Sequence, residues 1–372
     1  MKKILFIDNT AHHLYGQIHL MQAFAALGHQ IQVLVPDDGN YYNRLLQLGF
    51  ECSGLKINGK SRNPFANLLL AAAIANKIHV LAPNLICSFT IKPNLYAAIA
   101  ARKQQIPIIV NITGLGYVFR KTGWLHTVVV KLYRYAFKRL DYALLQNGDD
   151  QRLFAEKCIF SPGTPVEVIP GSGVNVKKFP YTGLTEKDIV FLFSGRLLWD
   201  KGLKELVAAL RIVKAKYPKV RLWLLGNYFL ENPNGIRHEQ IAAWVKEGCL
   251  EYLGMVDNVA EVMREIDCMI LPSYYREGIP RVLMEACSMG KPIITVDSVG
   301  CREVIEDGFN GFVAQPRDIQ TLAGAMLKFI ELPFAAKVQM GLNGRRKMER
   351  EFDQQLVINK YLAVAASLLA AK

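Results

Sequence analysis

The segment from Ser273 to Gly290 carries two carboxylates at a spacing suited to binding a ligand with many hydroxyl groups. Glu277 directly precedes a Gly-Ile-Pro triplet, and Glu285 lies eight residues further on. Pro280 is expected in the first turn of a helix, where its missing N–H costs nothing. The open N–H groups of a helix start favour anions and hydroxyl oxygens. We therefore expect a phosphate-bearing sugar here, although an ordinary helix entry with two solvated glutamates remains the alternative.

A second segment, residues 194–202, places two cations at the carboxyl end of a predicted strand. It reads Ser-Gly-Arg-Leu-Leu-Trp-Asp-Lys-Gly, and apolar residues at helical spacing follow it. Arg196 can bind phosphate oxygens bidentately, and Lys201 can act as a point charge. Together they would stabilise the charge that develops on a departing diphosphate. The alternative is two surface charges on an ordinary strand–helix loop.

These two segments resemble the donor-site signature of glycosyltransferase family 4, the retaining enzymes with the GT-B fold. The matching residues read E-G-I-P-x-V-L-x-E-A, followed by K-P-I, together with G-R-x-x-x-x-K-G upstream. The resemblance implies that Glu277 and the backbone of Gly278, Ile279 and Pro280 contact the donor sugar. It also implies that Glu285 holds the ribose.

The same resemblance implies roles around the nucleotide. Arg196 and Lys201 would bind the diphosphate of a UDP-sugar and stabilise the leaving UDP. The stretch Tyr252–Asp257 resembles the family's base-binding loop, in which Val256 or the backbone of a neighbour would touch the pyrimidine. The reaction is expected to proceed with retention, with the departing phosphate taking the acceptor proton, and Glu277 as a covalent nucleophile is the weaker alternative.

The elements that must position these residues are strands that alternate with helices along the whole chain. Two such sets predict two doubly wound, Rossmann-like α/β domains of parallel sheet facing across a cleft, the GT-B fold. We expect domains over residues 1–176 and 177–352, with a C-terminal helix over 353–372 that packs back on the first domain. The predicted strands are Lys3–Ile7, Ile31–Val35, Leu85–Phe89, Ile106–Ile112, Ala143–Gln146, Glu167–Ile169, Ile189–Ser194, Arg221–Leu225, Leu250–Leu253, Cys268–Leu271, Pro292–Thr295 and Gly311–Val313.

Composition indicates a globular protein of the reducing cytosol. The chain has 372 residues, 51% of them hydrophobic and 21% charged, and its seven cysteines form no C-x-x-C pair. Such a pattern argues against a disulfide framework and a zinc site. We expect no signal peptide, because Asp8 interrupts the first apolar run, and no membrane span, because Asn and Lys bracket the run from Leu68 to Ala75.

The net charge of +13 is concentrated in the first half. Residues 1–180 hold 20 basic and 9 acidic side chains, whereas residues 181–372 hold 25 and 23. The first half is therefore expected to meet something anionic: nucleic acid, a phospholipid surface or a phosphorylated acceptor.

The segment from Leu115 to Leu140 is the most basic part of that half, with six basic residues and no acidic one. Aromatic residues are interleaved, and an apolar stripe at Leu125, Val128, Val129, Leu132, Ala136 and Leu140 is expected. A basic amphipathic helix with aromatics is typical of one that lies on an anionic bilayer. The alternative is a core helix with a solvated basic face. The residues expected to meet the membrane or the acceptor are Thr113, Gly114, Tyr117, Arg120, Lys121, Lys131, Arg134 and Lys138.

The loop Asn111–Phe119 resembles the acceptor loop of the lipid-linked branch of the family. The resemblance implies an undecaprenyl-diphosphate-linked saccharide as acceptor, an N-acetylhexosamine as the transferred sugar, and a role in bacterial surface polysaccharide or glycan synthesis. The enzyme would be peripheral on the inner face of the cytoplasmic membrane. The first strand–helix loop departs from the family pattern, since it lacks a Gly-Gly pair. Gly16 still allows a close backbone approach there, and His12 and His13 are interpreted as polar loop residues rather than as a base.

No metal cofactor is expected, because no Asp-x-Asp occurs in the sequence and basic side chains can replace a cation. Three other functions compete with sugar transfer to a lipid. A dinucleotide-dependent oxidoreductase would need G-x-G-x-x-G after the first strand, which is missing. A nucleic-acid-binding protein would leave both donor segments unexplained, so no nucleic acid is expected as partner. A soluble GT-B transferase with a small or non-lipid acceptor would share the donor motifs without needing the basic segment.

Overall fold

The computed structural model describes residues 1–56, 63–115, 119, 123–256, 258–276 and 278–371. The chain forms two compact units, the first comprising Met1–Ser172 and Leu356–Lys372 and the second Gly173–Gln355. These divisions fall after Ser172 and Gln355, a few residues away from the boundaries at 176 and 352 that the sequence suggested. The first unit holds 20 basic and 9 acidic residues, so it keeps the charge excess of the first half.

The first unit contains a parallel sheet in the order β3-β2-β1-β4-β5-β6-β7. Its strands are β1 (Lys3–Ile7), β2 (Gln30–Val35), β3 (Glu51–Gly54), β4 (Leu85–Phe89), β5 (Ile108–Ile112), β6 (Tyr142–Leu145) and β7 (Val166–Val168). Its helices before the division are α1 (Ala11–Tyr15), α2 (Ile18–Ala26), α3 (Tyr41–Gln47), α4 (Pro64–Leu81), α5 (Ile91–Gln104), α6 (Trp124–Ala136) and α7 (Gly148–Glu156). Because β1, β4 and β5 are buried on both faces, their sequences are mostly apolar, with one polar residue in each.

The second unit contains a parallel sheet in the order β10-β9-β8-β11-β12-β13. Its strands are β8 (Val190–Ser194), β9 (Arg221–Leu225), β10 (Glu251–Gly254), β11 (Cys268–Leu271), β12 (Ile293–Val296) and β13 (Gly311–Ala314). Its helices are α8 (Leu203–Lys216), α9 (His238–Lys246), α10 (Val259–Arg264), α11 (Arg281–Ser288), α12 (Cys301–Val304), α13 (Ile319–Glu331) and α14 (Phe334–Lys347). The prediction of two doubly wound parallel-sheet units is confirmed.

The C-terminal helix α15 (Gln354–Ala370) packs on the first unit. Val357, Ile358 and Val364 join a core cluster that includes residues of β1 and α2. The hydroxyl of Tyr361 is buried and accepts a hydrogen bond of 2.8 Å from the side-chain amide of Asn111 in β5. A helix that follows the whole second unit in sequence is thereby fixed in the core of the first, as the sequence predicted.

Candidate functional site

The two segments predicted to bind the donor follow neighbouring strands of the second sheet. Strands β8 and β11 pair in parallel, and the strand order reverses between them, because β9 and β10 lie on one side and β12 and β13 on the other. In open α/β sheets, ligands bind outside the carboxyl ends of the strands at such a switch point. The fold therefore brings residues 194–202 and 272–285 to the place where a ligand is expected.

The loop after β8 presents its two cations in different environments. The amide of Gly195 donates to the carbonyl of Leu225 at 3.0 Å, which ties the start of the loop to β9. The guanidinium of Arg196 is exposed and lies 5.6 Å from the ring centroid of Phe229. Lys201 ends a single 3-10 turn and is only 6% exposed. One exposed cation and one buried cation thus share a loop of nine residues.

Gly202 lets this loop approach the segment after β11. Its φ of +77° lies in the left-handed region, and a Cβ placed there would be 2.2 Å from the carbonyl oxygen of Pro272. The amide of Tyr274 donates to the carbonyl of Asp200 at 3.1 Å, and its hydroxyl donates to the carbonyl of Trp199 at 2.9 Å. Only glycine fits this contact, and the hydrogen bonds hold the two segments together.

The segment after β11 is mostly buried before its helix begins. The carbonyl of Ser273 accepts a hydrogen bond of 2.7 Å from the hydroxyl of Ser298, which fixes the segment to the end of β12. Gly278, Ile279 and Pro280 are buried. Glu277, the predicted sugar-binding carboxylate, lies outside the described residues.

Pro280 lies one residue earlier than predicted. It is the residue directly before α11, with φ −68° and ψ 116°, and the helix begins at Arg281. The prediction that Pro280 lies in the first helical turn is therefore wrong by one position, because its ψ is extended rather than helical. Pro280 has no side chain that can accept a hydrogen bond, so the first amides of α11 have no side-chain cap.

Glu285 lies one turn inside α11, and its side chain is 14% exposed. Burial raises the pKa of this carboxyl, and the positive charges of Arg281 and Lys178 act in the opposite direction. The nearest carboxylate oxygen lies 3.4 Å from a guanidinium nitrogen of Arg281. A nearly buried acid with two cations around it can accept hydrogen bonds from hydroxyl groups that reach it.

The predicted base-binding residues form a paired turn at the edge of the same sheet. The amide of Gly226 donates to the carbonyl of Gly254 at 2.9 Å, and the hydroxyl of Tyr252 donates to the carbonyl of Gly226 at 2.9 Å. Val256 follows β10, is half-buried and packs against the core of the unit. The turns after β9 and β10 therefore support each other beside the loop that holds Arg196.

In the first unit, the structure places part of the predicted acceptor segment at a strand end. Thr113 and Gly114 directly follow β5 and are half-buried. Tyr117, Arg120 and Lys121 lie outside the described residues. Gly16 ends α1, and its amide donates to the carbonyls of His12 and His13, so this N–H is already engaged. The backbone of Gly16 also has an ordinary helical φ of −61°, and nothing in its geometry favours a phosphate contact.

Helix α6 and the residues that follow it turn most of the predicted stripe toward the core: Ala136 and Leu140 are buried, and Val129 and Leu132 pack against the core. Val130, Tyr133 and Ala136 are in the core, whereas Val128 is exposed. The buried face is therefore shifted from the predicted stripe at Val128, and the ring of Tyr133, which packs against other rings of the unit, lies at its centre.

The three predicted basic residues of this segment that the structure describes, Lys131, Arg134 and Lys138, are exposed but are not equivalent. Lys131 lies on α6. The guanidinium of Arg134 donates to the carbonyl of Lys157 at 2.6 and 2.8 Å, so its charge is held against the protein's own backbone. Lys138 lies beyond the end of α6 at Ala136, so it is not part of the helix.

Helix α4 carries an exposed apolar face that the sequence reasoning overlooked. Leu70, Ile74 and Ile78 pack in the core, whereas Phe65 and Leu69 are 77% and 72% exposed. By length and composition it is the one helix in the described part of the chain that could cross a membrane. Only 17% of it is buried. The missed signal was the 18-residue extent of the helix, which continues through the Asn and Lys residues that seemed to interrupt the apolar run.

Comparisons with known families match both units. Residues 176–347 match the family model described as "Glycosyl transferases group 1", and residues 3–147 match "Glycosyl transferase 4-like". The described part of the chain contains no group of three or more His, Cys, Asp or Glu residues placed to bind a metal ion.

Similar whole chains are also known. The chain is 25% identical to the N,N'-diacetylbacillosaminyl-diphospho-undecaprenol alpha-1,3-N-acetylgalactosaminyltransferase of Campylobacter jejuni over 380 residues, covering 97% of each chain. It is 24% identical to the amylovoran biosynthesis glycosyltransferase AmsK of Erwinia amylovora, covering 93% of this chain and 94% of AmsK. The crystal structure of Anabaena HepE in complex with UDP and glucose superposes with a TM-score of 0.78 at 21% identity, covering 99% of this chain and all of HepE. This last similarity shows the fold, a GT-B architecture.

Proposed function

Because the chain belongs to the glycosyltransferases, with a group 1 domain in its second unit and a 4-like domain in its first, we propose that it transfers a sugar from a UDP-sugar to an undecaprenyl-diphosphate-linked saccharide. The transferred sugar is an N-acetylhexosamine, and the product enters bacterial surface polysaccharide or glycan synthesis. The relative from Campylobacter jejuni, whose name states such a reaction, supports this acceptor class over nearly the full length of the chain.

The observation that carries the proposal is the contact between the loop after β8 and the segment after β11. Gly202 and Tyr274 hold this contact. It brings Arg196 and Lys201 to the same strand ends as the start of α11. Two cations with open helix amides suit a diphosphate. As the bond between sugar and phosphate breaks, negative charge grows on UDP, and fixed cations stabilise that charge most when it is largest.

Glu277 and the backbone of Gly278–Pro280 hold the hydroxyl groups of the donor sugar in this proposal. Glu285 binds the ribose, and Val256 lies against the uracil. The new bond forms on the face that the phosphate leaves, and the departing phosphate oxygen takes the proton of the acceptor hydroxyl, so configuration is retained.

No metal ion takes part, because Arg196 and Lys201 supply the positive charge. Turnover is therefore expected to persist at full rate in excess EDTA.

The change Glu285→Gln is expected to weaken UDP binding and to stabilise the free protein at neutral pH. Hydrogen bonds to a charged acceptor contribute about 1.5–3 kcal/mol, so the affinity for UDP should fall at least tenfold. Burial raises the pKa of Glu285 in the folded state. The folded protein therefore holds this proton to a higher pH than the unfolded chain does, and stability falls as pH rises through the interval between the two pKa values.

Calorimetric titration with UDP and thermal melts of both proteins from pH 4.5 to pH 8 test this prediction. The melting temperature of the glutamine variant should exceed that of the wild type at pH 8, and the difference should shrink at pH 4.5. Equal UDP affinity in the two proteins would contradict the placement of Glu285 at the ribose.

The membrane surface of the enzyme is formed by the first unit, which carries the charge excess. Phe65, Leu68 and Leu69 form an exposed apolar face at the start of α4. Because the opposite face of this helix packs in the core, lipid cannot surround it, and only the exposed face can enter the headgroup region. Helix α6 exposes Val128 and Lys131. A mixed apolar and basic surface of this kind favours peripheral binding to the anionic inner face of the cytoplasmic membrane.

The double variant Phe65→Ser/Leu69→Ser is expected to lose at least tenfold in partitioning to anionic vesicles, because each side chain inserted into lipid contributes about 1.5–3 kcal/mol. Val80→Ser is the matched control, since Val80 is 70% exposed at the other end of α4. Co-sedimentation with phosphatidylglycerol vesicles measures the effect. Wild-type partitioning of the double variant would contradict this surface.

A panel of radiolabelled UDP-sugars, each with a synthetic polyprenyl-diphosphate-linked saccharide, tests the proposed reaction. Label is expected to move to the lipid from one UDP-N-acetylhexosamine. The alternative is a GT-B transferase with a small or non-lipid acceptor. This alternative would be favoured if label moved only to free saccharides and the protein did not bind to vesicles.

A further inference from the structure

The sheet of the first unit has its own switch point, and no donor residue lies there. The strand order reverses between β1 and β4, which pair in parallel through Ile7 and Ser88. Asp8 directly follows β1, and Thr90 directly follows β4. Ligands bind outside the carboxyl ends of strands at a reversal of this kind.

Asp8 is fully buried at this point and orients an imidazole. One carboxylate oxygen, Oδ2, lies 2.5 Å from Nδ1 of His13. The other, Oδ1, accepts hydrogen bonds from the amides of Asn9 and Thr10 at 2.6 and 3.3 Å and lies 3.5 Å from the hydroxyl oxygen of Thr90. The His13 side chain is 38% exposed, so a ligand can reach the ring. A carboxylate that accepts a hydrogen bond from one ring nitrogen fixes the tautomer of the imidazole and the direction in which the other ring nitrogen points.

The backbone at Thr90 is strained. Its φ of +64° and ψ of 166° lie in a region that essentially only glycine adopts. Helix α5 begins at the next residue, and the Thr90 hydroxyl donates to the carbonyl of Phe89 at 2.5 Å as well as contacting Asp8. Such strain persists where the surrounding structure fixes it, and it occurs most often at functional sites.

Further polar groups surround the same strand ends. Asn111 of β5 is the register partner of Phe89, and its carbonyl accepts a hydrogen bond of 2.8 Å from the side-chain amide of Asn94 in α5. The side-chain oxygens of both asparagines are buried and have no hydrogen-bond partner within the described ranges. Buried polar groups almost always have partners, and these two exceptions lie on β5 and on α5, the helix that follows β4.

We propose that this group, Asp8, His13 and Thr90, is the site for the hydroxyl groups of the acceptor saccharide. His13 contacts an acceptor hydroxyl, and Asp8 is the positioning residue that directs the ring. The proposal rests on the proposed function, because it assigns the second substrate of the transfer. The side-chain oxygens here belong to a carboxylate, a hydroxyl and amides. They suit O–H donors, whereas a carboxylate repels the phosphates of UDP and of the lipid.

Steady-state kinetics of His13→Ala with varied acceptor, and a UDP titration of the same protein, test the proposal. We expect kcat/KM for the acceptor to fall at least tenfold while the UDP dissociation constant changes less than twofold. His12→Ala is the matched control, since His12 is the exposed neighbour on the same helix, and it should retain the wild-type kcat/KM.

Asp8→Asn tests the positioning role. This variant keeps the shape of the side chain but weakens its contact with His13. It should therefore lower kcat/KM for the acceptor without weakening UDP binding. Because Asp8 is buried, thermal melts accompany it. Should the asparagine variant fail to fold, His13→Ala decides alone.

Two results would overturn the proposal. One is wild-type kcat/KM in His13→Ala. The other is a loss of UDP affinity that matches the loss of turnover, which would assign Asp8, His13 and Thr90 to donor binding. Failure of the proposed function gives a different result, because the wild type would then transfer no sugar to polyprenyl-diphosphate-linked saccharides. The same variants would in that case be compared on the saccharide that the enzyme does accept.

Discussion

Replacing Arg196 by alanine is expected to lower kcat/KM by about 10²–10³-fold, which is the usual effect of removing one donor that stabilises a developing oxyanion. Arg196 is exposed, and its described contact is with the ring of Phe229. The fold should therefore survive its removal. Arg196→Lys keeps the charge but loses bidentate binding, so it should recover only part of the rate.

Arg221→Ala is the matched control for this experiment. Arg221 is the first residue of β9, so it lies at the amino ends of the strands, whereas the proposed site lies at their carboxyl ends. It forms an exposed ion pair of 2.6 Å with Glu251. Exposed pairs contribute about 0–1 kcal/mol, so stability and turnover should change little. A single-turnover assay with labelled UDP-sugar separates chemistry from product release. Wild-type single-turnover rates in Arg196→Ala would contradict its role at the diphosphate.

The second large effect is expected at Gly202, where alanine should lower the free energy of unfolding by more than about 3 kcal/mol. Left-handed φ alone costs a non-glycine residue about 1–2 kcal/mol. In addition, the new Cβ would lie 2.2 Å from the carbonyl oxygen of Pro272, so the loop with Arg196 and Lys201 must move away from β11. UDP affinity should fall together with stability.

Gly248→Ala separates the two contributions. Gly248 has a similar φ of +69°, but nothing lies within 4 Å of a Cβ built on it, so it should lose only about 1–2 kcal/mol from its left-handed φ. Urea unfolding followed by tryptophan fluorescence suits the comparison, since Trp199, Trp223 and Trp244 all lie in the second unit. Equal losses in the two variants would show that the contact with Pro272 is not needed.

Much of this fold could be predicted because strands buried on both faces of a parallel sheet have mostly apolar sequences. Strands such as β1 and β4 were placed to the residue. The strand β3 was missed, since its sequence Glu-Cys-Ser-Gly is short, half-exposed and at the edge of its sheet. This strand forms because it pairs with β2 through backbone hydrogen bonds, and its own sequence does not indicate this pairing.

Features that depend on contacts distant in sequence were harder to predict. The approach of Gly202 to Pro272 joins residues seventy positions apart. The orientation of α6 follows from aromatic packing around Tyr133. His13 was interpreted as a polar loop residue, because the burial of Asp8 and the strain at Thr90 are visible only in three dimensions. Motif spacing predicts the donor segments from the sequence, whereas the proposed acceptor group is apparent only from packing.

A crystal structure with UDP bound tests the central claim most directly. The diphosphate is expected against the loop 194–202, within hydrogen-bonding distance of Arg196 and Lys201, and the ribose hydroxyls are expected on the carboxylate of Glu285. UDP bound elsewhere while this switch point of the second sheet stays empty would contradict the proposed donor site and the function that rests on it.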